Sequence, residues 1–393
     1  MNTPQQILDN AKKLKSWLVS HRRHLHQHPE LSFKEFETKK YLRHVLKDMG
    51  LPVSDITKTG LATTCHGAKV GPYIALRSDM DALPLQENTN LSFTSANHKV
   101  MHACGHDVHM TCLLGALRIL NELRSEFAGN VLGIFQPGEE VLPGGAIKVI
   151  ESGIFEKYKP KLIIGQHVMP GQPTGTLGFK PGHYMASTDE LYITLKGNGG
   201  HIAVPQLTKD IISAAAEIVL SLKKQITKEA GDIPVIIGFG KIEAEGSTNL
   251  MPTEAKLTGT FRTMDEKFRK HVKNLIHSIA NQIAERYSAK AEITIINGYP
   301  SLTNHTLYTK EAMQFAGELV GNQNIIKLDK RMTGEDFAHY SRIMPAIFYR
   351  LGIAGNHTGI NNIHRPDFDV DENALIYGSA SMAWLALKFL NRL

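Results

Sequence analysis

The stretch Tyr73-Ile-Ala-Leu-Arg-Ser-Asp-Met-Asp-Ala-Leu-Pro84 decides how the rest of the chain is read. It begins as a short apolar run of strand type, and two carboxylates, Asp79 and Asp81, follow at once. The same arrangement returns three times. A strand at 131–135 leads into Gln136-Pro-Gly-Glu-Glu140, one at 161–164 into Gly165-Gln-His167, and one at 345–349 into a loop carrying His357 and His364. In an open α/β sheet the active site lies outside the carboxyl ends of the strands, where neighbouring loops converge. Four loops therefore deliver Asp79, Asp81, Glu139, Glu140, His167 and His364 to one edge of one sheet, and these residue types are those of a metal centre.

Working outward, Met101-His-Ala-Cys-Gly-His-Asp-Val-His109 packs three imidazoles, a thiol and a carboxylate into nine residues. Glycine separates Cys104 from His106, so a tight loop can turn both toward one point. Residues 108–120 are apolar on most sides, the pattern of a helix buried against a sheet. Amphipathic helices are expected over 4–19 and 36–49, the second closed by Gly50. Between them lies Arg22-Arg-His-Leu-His-Gln-His-Pro29, whose proline ends a helix and whose histidines at 24, 26 and 28 suit hydrogen bonding better than metal ligation.

From 185 to 297 the pattern changes. Strands at 189–196, 235–241, 255–262 and 291–296 alternate with helices at 208–230 and 265–287, a βαββαβ order that predicts a small antiparallel, ferredoxin-like sheet with two helices on one face. The expected architecture is α/β: a mixed-sheet catalytic domain (1–184 and 298–393) interrupted by an inserted α+β domain (185–297). None of the proposed ligands lies in the insert.

The totals narrow the function. With 393 residues, two domains are the ordinary expectation. The net charge of +6 comes from 44 basic against 38 acidic residues spread along the sequence, without the basic block of a nucleic-acid-binding protein. No apolar run approaches the roughly 18 residues of a membrane span, and the N-terminal stretch has no signal-peptide core. A cytoplasmic location is expected. Cys65, Cys104 and Cys112 are too few for a disulfide framework, and a cysteine beside histidines in a reducing compartment points to a ligand or nucleophile.

Cys104, His106, Glu140, His167 and His364 offer ligands for two divalent ions if one group bridges. A thiolate or a carboxylate can bridge, and Cys104 is the first choice because a metal would hold it deprotonated. With Glu140 bound, Glu139 is left near the bound water as general base, and it can later pass the proton to a leaving nitrogen. A carboxylate at a helix N-terminus is the plain alternative for Glu139. Asp79 and Asp81 are expected to support the ligands, one of them orienting an imidazole. His102 and His109 are expected only as hydrogen-bonded neighbours. In the insert, His201 of Gly197-Asn-Gly-Gly-His-Ile-Ala-Val-Pro205 can approach a ligand and stabilise charge on a carbonyl oxygen, and Asn249 and Arg262 can hold a substrate carboxylate. Gly334-Glu-Asp336 reads either as a site loop or as a helix cap ahead of Phe337.

With these residues assembled, the chain resembles the M20 metallopeptidase family, in particular its amidohydrolase branch of N-acyl amino acid, hippurate and auxin-conjugate hydrolases. The motifs that carry the resemblance run nearly end to end: Arg22 to Leu31, Arg77 to Pro84, Met101 to Asp107, Gln136 to Glu140, Gly199 to Pro205 and Gly334 to Phe337. The resemblance implies that Cys104, His106, Glu140, His167 and His364 bind two divalent ions and that Glu139 is the base. It implies that Asp79 or Asp81 is a catalytic-site aspartate, that His201 is the insert's histidine reaching an active site, and that the insert is a lid through which a homodimer forms. Gln206 stands where the branch commonly has histidine, and Ser78 where it often has alanine. The expected activity is cleavage of the amide of a small N-acyl amino acid, with zinc or manganese, or else cobalt or nickel, as cofactor. A dipeptidase or carboxypeptidase of the same family is the runner-up, and a catalytically silent metal-binding protein is the reading from another class.

Overall fold

The computed structural model describes residues 3–393. Two compact units are present. The larger comprises Met1–Gly182, Thr303–Asp329 and Asp336–Leu393, and the smaller comprises His183–Leu302 with Lys330–Glu335.

The larger unit is built on an eight-stranded mixed sheet of β1 (Val53–Asp55), β2 (Leu61–His66), β3 (Lys69–Asp79), β4 (Ala128–Gln136), β5 (Ile163–Pro173), β6 (Leu177–Phe179), β7 (Ile325–Lys327) and β8 (Ala346–Ala354). Their spatial order is β1-β2-β4-β3-β5-β8-β6-β7. The central four, β4, β3, β5 and β8, are parallel, while β2 joins β4 and β6 joins β8 in the antiparallel sense. These four are the strands expected from sequence, and each is longer than its apolar run. Asp79 is the last residue of β3 rather than the start of a loop. His167, expected in the loop after its strand, lies inside β5, paired with Arg350 of β8. The correction has a simple cause: ladder hydrogen bonds hold Gly165 to Val168 in the sheet whatever their side chains, and hydropathy cannot register them. The register aligns the site. Asp79 pairs with Gln136 and Arg77 with Gly165, so two residues further along Asp79 comes level with His167.

Helix α1 (Pro4–Lys13) opens with a Thr3–Gln6 capping box and proline in its first turn. The single helix expected over 4–19 is two, because Leu14 ends α1 and α2 (Lys15–Gln27) starts behind it. Pro29 follows two residues after α2 ends. Helix α3 spans Phe36–Asp48, α4 spans His106–Glu122 and α5 spans Ala374–Arg392. α4 is buried on nearly every side. Its Val108, Met110, Leu113, Leu114, Leu117, Ile119 and Leu120 are fully buried, and at roughly 1.5–3 kcal/mol each they contribute on the order of 10–20 kcal/mol before chain entropy is set against it. That burial anchors the helix whose first residue is His106.

In the smaller unit, strands Asp189–Lys196, Val235–Glu243, Glu254–Thr263 and Lys290–Asn297 form one antiparallel sheet in which Glu254–Thr263 and Asp189–Lys196 are central. Helices Ile211–Ala230 and Glu266–Arg286 begin at Asp210 and Asp265, whose carboxylates accept the N–H of Ser213 and Phe268. The alternating strand residues Leu191, Ile193 and Leu195 bury against Ile218, Leu222, Val272 and Ile276 of the helices. A separate two-stranded ladder joins Gly200–His201 to Leu250–Met251.

Candidate metal centre

The site forms where α4 begins beside the middle of β5, at His167 and Val168. Gly105 has φ +80°, and a Cβ there would sit 2.6 Å from Val168 Cγ2, so only glycine lets Cys104 and His106 flank this close approach. Cys104 Sγ lies 3.5 Å from His167 Nε2. His167 Nδ1 donates to the Val168 carbonyl at 2.8 Å, which leaves the Nε2 lone pair facing the thiol. From the loop after β8, His364 adopts φ +63° while its N–H donates to the Ala103 carbonyl at 2.7 Å, and its Nε2 stands 3.3 Å from Glu140 Oε1. Ligand atoms of Cys104, His106 and His167 lie within 4.8 Å of one another, as do those of Cys104, Glu140 and His364, so the two triads share Cys104. His106 and Glu140 also group with Glu139.

Carboxylates hold this arrangement from behind. Asp81 accepts the Glu139 and Glu140 N–H groups at 3.0 Å each and the Ser32 hydroxyl at 2.6 Å, and its Oδ1 is 3.3 Å from His106 Nδ1. Asp79 lies 2.7 Å from Arg77 Nη1 and 2.6 Å from His109 Nδ1. His109 Nε2 accepts the Val168 N–H at 2.9 Å, which fixes its tautomer and uses both ring nitrogens. Asp336 receives Arg77 Nη2 at 2.8 Å, the Gln136 amide at 2.7 Å and the Ala146 N–H at 2.9 Å, while its own N–H donates to Glu139 Oε1 at 3.3 Å.

The electrostatics fit a cation. Burial, followed by Glu140, Glu139 and Asp79, pushes the Cys104 thiol well above its ordinary range. Burial alone would lower His106, but Asp79, Asp81 and Glu140 raise it to about 10. His106 Nε2 and Glu140 Oε1 are buried without a hydrogen-bond partner among the described residues. Such a cluster asks for positive charge and for something to coordinate its orphaned lone pairs, and a divalent ion on thiolate, imidazole and carboxylate donors supplies both. His167, lowered by burial and by Arg350, keeps its ring neutral as a ligand must. The His364 side chain is 50% exposed against 1% for His106, so the cluster is open on that side.

The five expected ligands thus converge, with Glu139 beside them. The helix-terminus alternative for Glu139 fails, since the next helix begins only at Gly145. The helix-cap alternative for Asp336 also fails: Phe337 stands at the N-cap of the following turn, and the Asp336 carboxylate serves Arg77 and Gln136 instead. His109 is hydrogen-bonded as expected, whereas neither ring nitrogen of His102 has a hydrogen-bond partner among the described residues. His26 is buried between Asp107 at 2.9 Å and Glu87 at 3.2 Å, a structural role. His201 and Asn249 belong to the smaller unit and are exposed, His201 on a short strand and Asn249 in the turn before the strand that pairs with it, the Asn249 carbonyl accepting the Ile202 N–H at 3.0 Å. Arg262, in the same unit, is half-buried and donates to the Met332 carbonyl at 3.0 Å. Sequence reasoning missed the roles of Arg77 and Gln136, and of its two readings of Gly334-Glu-Asp336 the site loop is the one in which Asp336 meets them. The available signal was Arg77 itself, a cation inside an apolar strand that burial obliges to find carboxylates.

Residues 75–388 match the family model described as peptidase family M20/M25/M40. N-acetylcysteine deacetylase of Bacillus subtilis (strain 168) is 38% identical over 373 residues, covering 94% of this chain and 96% of that protein. N-acetyldiaminopimelate deacetylase of the same organism is 36% identical, covering 91% of this chain and 94% of that one. The crystal structure of a dinuclear metal-binding peptidase of the M20 family from Bacillus subtilis superposes with a TM-score of 0.84 at 35% identity, over 97% of this chain and 100% of that chain.

Proposed function

The chain belongs to peptidase family M20/M25/M40, in its amidohydrolase branch, and on that footing we propose that it hydrolyses N-acyl amino acids to a carboxylic acid and a free amino acid. The observation that carries this reading is the sharing of Cys104 between two ligand triads with Glu139 alongside. Cys104, His106, Glu140, His167 and His364 would hold the ions, Cys104 being the residue common to both triads. Two divalent ions, zinc or manganese by donor type with cobalt or nickel also compatible, supply carbonyl polarisation and a more acidic water when bound. Glu139 takes a proton from the attacking water, its carboxylate steadied by the Asp336 N–H. A C–O bond forms at the carbonyl carbon, the C–N bond breaks, and Glu139 returns the proton to the leaving nitrogen. Asp81 and Asp79 act through the residues they hold, Asp81 on His106 and the Glu139–Glu140 turn, Asp79 on His109.

The smaller unit acts as a lid and as the dimerisation element of a cytoplasmic homodimer in this reading. His201 stabilises the carbonyl oxygen as it gains charge, and Asn249 and Arg262 bind the substrate carboxylate. Support comes from the residue types of all three and, for His201, from its place in the Gly199–Pro205 motif of the branch. Among the described residues no helix is long and apolar enough to cross a membrane.

The test is a panel of acetyl-amino acids, hippurate and dipeptides given to the metal-loaded protein. Acyl-amino acids are expected to be cleaved fastest, and Glu139→Gln to lower kcat by about 10²–10⁴-fold. Faster turnover of dipeptides would move the assignment to a peptidase. A Glu139→Gln variant as active as wild type would remove Glu139 as the base.

A further inference from the structure

Glu35 is a fully buried carboxyl with no part in the reaction described above. It stands at the N-cap of α3 but makes no capping bond. Glu30 does that instead, accepting the Glu37 and Thr38 N–H groups and the Thr38 hydroxyl. Glu35 Oε1 accepts the Phe33 N–H at 2.9 Å and, 103 residues away in sequence, the Gly138 N–H at 2.8 Å. The next two donors along the chain, the N–H groups of Glu139 and Glu140, both end on Asp81 at 3.0 Å. Three successive backbone donors of one turn are thus taken by two buried carboxyls.

Successive N–H groups pointing one way make a concavity that favours negative charge. Here side chains of the protein fill it, from the segment before α3 and from the end of β3. The turn is gripped elsewhere as well. Gly138 has φ +62°, a Cβ there would lie 2.4 Å from the Phe33 ring, and the Gly138 carbonyl accepts the Gly145 N–H at 2.9 Å. An ionisable group in so closed a place is unfavourable. Burial and the Asp81 carboxylate raise Glu35 to about 7, against the Thr59 hydroxyl and the backbone N–H groups that pull it down.

We propose that Glu35 is a positioning residue of the hydrolytic site, setting through the Gly138 N–H where Glu139 and Glu140 point. This rests on the assignment of Glu139 as base and Glu140 as ligand. Without the Glu35 contact the Gly138 N–H loses its acceptor and the turn relaxes between its remaining anchors at Asp81 and Gly145, and a displacement near 1 Å at the reacting groups lowers turnover about 100-fold.

The test uses the full-length protein loaded with cobalt(II), in Glu35→Ala, Glu35→Asp and Glu35→Gln forms. Alanine removes the acceptor, aspartate withdraws it by one methylene, and glutamine keeps a carbonyl oxygen in its place. Alanine and aspartate are expected to lower kcat roughly 10–100-fold with little change in KM and to shift the visible cobalt bands. Glutamine should remain within about threefold of wild type, a rescue that a mere packing role does not require. If the alanine variant does not fold, aspartate carries the test. A folded alanine or aspartate variant with wild-type kcat and an unshifted cobalt spectrum overturns the proposal, as does a glutamine variant as impaired as alanine. The cobalt spectrum needs no turnover, and Glu139→Gln measured in parallel shows separately whether the base assignment itself has failed.

Discussion

Replacing Asp81 by asparagine tests the site at its most connected point. The native carboxylate takes the Glu139 and Glu140 N–H groups on separate oxygens, Oδ1 and Oδ2, while its Oδ1 also faces His106 Nδ1. Asparagine keeps one oxygen and turns an NH₂ toward the other donor, so one buried N–H loses its acceptor and meets a second donor. Leaving such a group unsatisfied costs about 1–3 kcal/mol, against a typical total stability of about 5–15 kcal/mol. The variant should therefore fold with reduced stability. Its turn shifts, and with it both glutamates, so kcat should fall about 100-fold while the substrate contacts that set KM remain. Urea unfolding followed by tryptophan fluorescence is a direct assay, because Trp17 and Trp384 both belong to the larger unit. Steady-state kinetics on the best acyl-amino acid gives the second readout. An Asp81→Asn protein with an unchanged urea midpoint and kcat within about threefold of wild type would refute the reasoning.

Asp336→Ala should be destabilising by about 3–5 kcal/mol, because it takes one buried carboxylate from Arg77, which keeps Asp79, and removes the acceptor of the Gln136 amide and the Ala146 N–H; an unaltered urea midpoint would show that these groups do not depend on it. His109→Ala should weaken metal affinity about 10–100-fold without changing the number of ions bound, since His109 orients and does not ligate; competition with a chelator measures the affinity, and loss of a whole equivalent of metal would make His109 a ligand. Stability should also fall as pH rises through the Glu35 titration. Its pKa is raised to about 7, so this carboxyl's contribution is present below about pH 4.5 and lost as pH passes 7. Over that window the difference is roughly 3 kcal/mol at about 1.4 kcal/mol per unit, and Glu35→Gln should remove it; parallel pH–stability curves for the two proteins would exclude the assignment.

The sequence by itself determined the fold class, the four central strands and the residue types at their ends. Hydropathy and periodicity are local properties, and Asp79, Glu139 and Glu140 announce themselves as charges that follow apolar runs. The cysteine–glycine–histidine spacing was legible for the same reason. Strand ends were not: His167 reads as a loop residue because its membership of β5 is fixed by pairing with Arg350 on another strand. Nor were the partners of Arg77, Asp81 and Glu35. Asp336 lies 259 residues from Arg77, and Gly138 lies 103 from Glu35. Hydrogen bonds between groups so distant in the chain leave no periodic trace in the sequence, because the direction of each donor is set only when the sheet register brings the strand ends level.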